Sequence, residues 1–81
     1  MIVHVEYTAQ LRVQTGLATE TFDLADGARL EALLQTVADR HDVTAFLGDN
    51  LLCFVGGAQA DADHPLADGD HVTLLTPISG G

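Results

Sequence analysis

Arg29-Leu30-Glu31-Ala32-Leu33-Leu34-Gln35-Thr36-Val37-Ala38-Asp39-Arg40 sets apolar side chains at positions 30, 33, 34, 37 and 38, on one stripe of a 3.6-residue repeat. This is the clearest amphipathic helix in the chain. Glu31 near its start and Arg40 and His41 at its end suit the helix dipole, although no side chain marks a clear N-cap. The segments around it read as strands. Before it, Ile2 to Tyr7 alternates His4 and Glu6 with inward Val3, Val5 and Tyr7, and Ala18 to Leu24 carries Phe22 and Leu24 on one face. Thr8 to Leu17, with Gly16 as a breaker, is expected to be a wide hairpin loop between them.

Beyond the helix, Asp42 to Asn50 holds Phe46 and Leu47 in an expected turn or short helical piece. Leu51 to Val55 is a third strand, Gly56-Gly57 a turn, and Ala58 to Ala62 at most a short edge strand. Asp63-His64-Pro65 and Asp68-Gly69-Asp70 are turn sequences around Leu66, and His71 to Leu75 is the last strand, with Val72 and Leu74 on one face. The order is ββα followed by ββ. One helix covers one face of a sheet, and a right-handed crossover after the first hairpin brings a late strand parallel to the first, inside the sheet. The expected class is α+β, a β-grasp with a mixed sheet and one main helix. One domain spans residues 1–81, with a flexible tail at 77–81.

Composition limits the function classes. Twelve acidic residues against three arginines and no lysine give a net charge of −9, which repels nucleic acid and anionic membranes and favours a partner with a basic surface. No apolar stretch is long enough to cross a bilayer, and the N-terminus lacks the charged and apolar regions of a signal peptide, so the cytoplasm is expected. Cys53, the lone cysteine, sits in an apolar run and reads as a core side chain. The four histidines lie at no recognised metal-ligand spacing, and no metal is expected. Asp68 and Asp70 read as turn chemistry, and no nucleophile is accompanied by a base, so autonomous catalysis is not expected.

The chemistry points to the tail, Pro77-Ile78-Ser79-Gly80-Gly81. Pro77 stops the last strand, and two terminal glycines give a backbone slim enough for a narrow channel. A free carboxylate is a poor electrophile until it is adenylated. The chain has neither a phosphate-binding glycine loop nor a lysine for phosphates, so a separate ATP-using enzyme is required. Without lysine, it also offers an activated terminus no side-chain amine to attack. Leu51 to Val55 is apolar at both parities, which implies cover on both faces of that strand. The helix covers one. On the other, either Leu75 and Phe54 form a partner-binding patch near the tail or loops of this same domain close over the strand; Arg12 either joins the partner contact or satisfies loop carbonyls.

Tyr7 with Ala9-Gln10-Leu11-Arg12 and Gly16, the helix around Leu33-Leu34, the turn Leu66-Ala67-Asp68-Gly69-Asp70 and the ending Pro77-Ile78-Ser79-Gly80-Gly81 together resemble the molybdopterin synthase small-subunit family of sulfur carriers. That family belongs to the ubiquitin-like β-grasp group, which also includes the thiamine-pathway carrier. The resemblance covers essentially the whole chain. It implies that a ubiquitin-activating-like adenylyltransferase, using ATP, activates the Gly81 carboxylate for conversion to a thiocarboxylate. The tail 77–81 then enters the large synthase subunit and gives its sulfur to a cyclic pterin precursor for the molybdenum cofactor. No cofactor is bound by the carrier itself. Two departures stand out: Thr76-Pro77 replaces the usual Pro-Pro pair, and Gly56-Gly57 lacks the usual asparagine before its glycine. They leave open a carrier for thiamine or another pathway, or a ubiquitin-like protein modifier.

Overall fold

The computed structural model describes residues 1–43 and 51–76, which run β1 (Ile2–Tyr7), α1 (Gln10–Thr15), β2 (Thr19–Asp23), α2 (Leu30–Arg40), β3 (Leu52–Val55), β4 (Ala58–Ala60) and β5 (His71–Leu75). The strands form one sheet in the order β2-β1-β5-β3-β4. β1 and β5 pair in parallel, through His4 with His71 to Tyr7 with Leu74, and the other neighbours pair antiparallel. This is the expected β-grasp. The last strand lies inside the sheet, hydrogen-bonded on both edges.

Alternation along the strands makes the sheet two-sided. Val3, Val5, Tyr7, Phe22, Cys53, Val72 and Leu74 are buried against Leu30, Leu33 and Val37 of α2. The opposite parity leaves His4, Glu6, Thr73 and Leu75 on a face that α2 does not cover. The α2 stripe is the one written in the sequence, with Leu34 half-buried at its margin. The missing side-chain N-cap also has an explanation. The first orphan amides, Leu30 N–H and Glu31 N–H, donate to the carbonyls of His64 and Ala62, both at 2.9 Å. The turn after β4 thus caps the helix with main chain.

The connection between β1 and β2 is more ordered than its sequence predicts. Thr8 to Leu17 is no open loop: it contains α1, with Leu11 fully buried and Gly16 in the left-handed conformation (φ 74°), its N–H donating to Arg12 O at 3.0 Å. One buried leucine and a glycine end-cap suffice to wind a six-residue helix. β4 is the expected short edge strand, confined to Ala58–Ala60. The predicted piece with Phe46 and Leu47 lies outside the described residues.

A polar cluster ties β2 to the end of α2. Glu20 Oε1 accepts from Tyr7 Oη at 2.7 Å and lies 2.7 Å from His41 Nε2, while Arg40 donates to Glu20 Oε2 at 2.9 Å. The Arg40 guanidinium also lies over the Phe22 ring, 4.6 Å from its centroid. Burial alone would raise the Glu20 carboxyl, but the hydrogen bonds from Tyr7, Arg40 and His41 outweigh it and hold the group below the usual glutamate range. Burial, together with the neighbouring Glu20 carboxylate, pushes the Tyr7 phenol well above its ordinary value, so it remains a donor.

Two outcomes follow for stability. Leu33 is completely buried, so Leu33→Ala is expected to cost about 2–5 kcal/mol in chemical denaturation; an unchanged midpoint would remove it from the core. A depressed carboxyl stabilises the fold above its unfolded value, and that contribution is lost as pH falls through its folded value. The wild-type chain should therefore lose more stability than Glu20→Gln on acidification from about pH 5 downward. Parallel losses in both proteins would show that the cluster contributes nothing through its charge.

Candidate functional site

β5 carries the chain toward Pro77, and its end is fixed from two sides. The Leu74 carbonyl accepts from both Thr8 N–H at 3.2 Å and Thr8 Oγ1 at 2.8 Å. On the other edge, Leu75 is the register partner of Leu52 on β3. Because β1 and β3 flank β5, the point at which the tail leaves cannot fray as a sheet edge would. Thr8 carries this function without having been singled out from sequence. A threonine directly after a strand was the available signal.

The two expected patch residues do share a face. Leu75 and Leu52 are opposite one another, Phe54 faces Thr73 one step along the same parity, and all three apolar side chains are half-buried. This accounts for the apolar residues at both parities of β3: Cys53 points to the helix side and is buried, while Leu52 and Phe54 face away from it. Arg12 is exposed on α1, the element that follows Thr8, with no side-chain hydrogen bond or ion pair among the described residues. The other expected site residues, Pro77, Ile78, Ser79, Gly80 and Gly81, lie outside the described residues.

Farther from the end of β5 the same face turns polar. His4, Glu6, Thr19, Thr21, His71 and Thr73 line most of a groove of about 290 Å³. His4 and His71, 67 positions apart in the chain, are register partners, and their rings stack with centroids 4.8 Å apart and planes 20° from parallel. Two of the four histidines are thus brought together by the parallel register. Among the described residues no group of three or more His, Cys, Asp or Glu side chains is arranged to hold a metal ion. Burial pushes the Cys53 thiol up, away from the reactive thiolate. The geometry offers a rigid strand, an apolar face beside its end and a polar groove behind it.

The comparisons agree with this architecture. The chain is 37% identical over 99% of its length to the whole of the molybdopterin synthase sulfur carrier subunit of Escherichia coli strain K12. It is 33% identical over its full length to the whole of the protein of the same name from Chlamydomonas reinhardtii. Among solved structures, SAMP1 from Haloferax volcanii superposes with a TM-score of 0.90 at 22% identity, each chain covered completely. A chain from the protein–protein complex of subunits 1 and 2 of the molybdopterin-converting factor of Helicobacter pylori superposes with a TM-score of 0.74 at 22% identity, again with both chains fully covered. The match to the ThiS family runs over residues 5–81, from the middle of β1 through the Gly-Gly ending, and the chain belongs to that family.

Proposed function

We propose that this chain is the sulfur carrier subunit of a molybdopterin synthase, with the carboxylate of Gly81 as the group that carries the sulfur. The full-length likeness to the bacterial and algal carrier subunits supports the reading most strongly. In the first step the Gly81 carboxylate attacks the α-phosphorus of ATP in a separate adenylyltransferase, and pyrophosphate leaves. A sulfide-level nucleophile then adds to the acyl carbon and AMP departs, leaving a thiocarboxylate. The mixed anhydride makes the carbon electrophilic and supplies the leaving group that carboxylate lacks. The carrier contributes a reactive terminus, and its partners contribute catalysis. ATP as co-substrate suits work in the cytoplasm.

Two partners follow from this chemistry: a ubiquitin-activating-like adenylyltransferase, and a large synthase subunit into which residues 77–81 thread to deliver sulfur to the cyclic pterin precursor. The complex of the two Helicobacter pylori subunits shows that a protein of this fold pairs with a second subunit. On this chain Leu52, Phe54 and Leu75 form the docking face, with Arg12 at its margin. Apolar side chains left half-exposed beside a functional terminus suit a surface that is covered only transiently.

Incubation with ATP, the activating enzyme and a sulfur donor should add the mass difference of one oxygen-to-sulfur exchange, and deletion of Gly80 and Gly81 should abolish it. Failure of the intact chain to gain that mass would sink the carrier reading, and recovery of the chain in amide linkage to lysines of other proteins would identify a modifier instead. Leu75→Asp should weaken binding to the large subunit by at least about tenfold, roughly 1.4 kcal/mol, with the circular dichroism spectrum unchanged. Undiminished binding would place the contact elsewhere.

A further inference from the structure

Thr76, the first residue past β5, is only 8% exposed, and its Oγ1 is the buried side-chain polar atom left without a hydrogen-bond partner among the described residues. It follows Val72 and Leu74 on the core parity, where both neighbours are apolar. The contrast with Thr8 is direct: that hydroxyl donates to Leu74 O at 2.8 Å. Pro77 has no N–H, so the next peptide offers no donor either. A buried hydroxyl without a partner is destabilising, and a side chain of the same shape without oxygen would avoid the penalty. Valine is that side chain. Packing alone therefore gives no reason for threonine at the root of the tail.

We propose that Thr76 is a positioning residue whose hydroxyl obtains its partner on docking, from a main-chain carbonyl or amide of the enzyme that grips the tail. The inference rests on the carrier reading only in requiring that the tail be gripped. While the chain is free, the unsatisfied hydroxyl raises its free energy; when docking gives Thr76 Oγ1 a partner, that deficit returns as affinity. The residue sits where such a gain is most useful, one position after the last strand residue held by β3. It acts from the root of the tail, at Thr76 itself, and has no part in the chemistry of the carboxylate.

The test compares Thr76→Val and Thr76→Ser in the full chain, measuring the thermal midpoint alone and the affinity for the large subunit and for the activating enzyme. Thr76→Val should melt higher, by about 4–8 °C if pairing is absent from the free state. It should bind at least one of the two enzymes about tenfold more weakly, raising KM for the carrier with kcat little changed. Thr76→Ser, which keeps the hydroxyl, should retain wild-type affinity. A Thr76→Val protein that melts lower shows the hydroxyl to be satisfied already and overturns the proposal. Wild-type affinity for both enzymes in Thr76→Val, or an equal loss in Thr76→Ser, overturns it too. Deletion of Gly80 and Gly81 runs alongside: if transfer survives deletion the carrier reading fails, whereas lost transfer with an unaffected Thr76→Val removes only the role of Thr76.

Discussion

The parallel pairing of β1 with β5 is the constraint on which the rest depends. It joins strands at opposite ends of the chain, His4 to His71 through Tyr7 to Leu74, and makes β5 an interior strand. Parallel neighbours require a crossover. Here the crossover is everything from α1 to β4, and α2 within it covers one face of the sheet. The two donors of Thr8 on the Leu74 carbonyl end the pairing firmly at the place where the tail departs. On the carrier reading, a reactive terminus needs such a base, held at its root.

The two faces of the sheet divide the work. Toward α2, fully buried Val3, Val5, Tyr7, Leu33, Val37 and Leu74 provide the stability of a small domain, and Glu20 collects Tyr7, Arg40 and His41 where a carboxylate can be satisfied. Away from α2, the sheet keeps an apolar corner of Leu52, Phe54 and Leu75 beside a polar groove with stacked His4 and His71. That corner is poor design for a solitary domain and good design for a recurrent partner. On the carrier reading, the net charge of −9 over the chain suits a basic enzyme surface at long range, and the apolar corner is the part proposed to set the register.

Much of this was legible in the residues because period governs burial. Alternation in Ile2 to Tyr7 and in His71 to Leu75, and the 3.6-residue stripe from Leu30 to Val37, each predicted the observed inward side chains. Leu52 and Phe54 were equally readable as the second face of β3. What escaped depends on contacts between residues far apart or on local backbone geometry. α1 buries a single leucine and begins after Ala9 at φ 53°, a conformation no glycine announced. Glu20 reaches partners 13, 20 and 21 positions away. The His4–His71 stack exists only through the parallel register. Thr76 stood out as a departure from a proline pair, but its lone hydroxyl required knowing what surrounds it.

Delivery of the end of the chain to the partner's active site is the central requirement of a sulfur carrier. A structure of the full chain bound to the large synthase subunit examines this most directly. The account predicts that Leu52, Phe54 and Leu75 are buried in the interface, with residues 77–81 threaded into the active site and Gly81 at the reacting position. An interface formed by the outer surface of α2, with the carboxylate of Gly81 left in solvent, would contradict it.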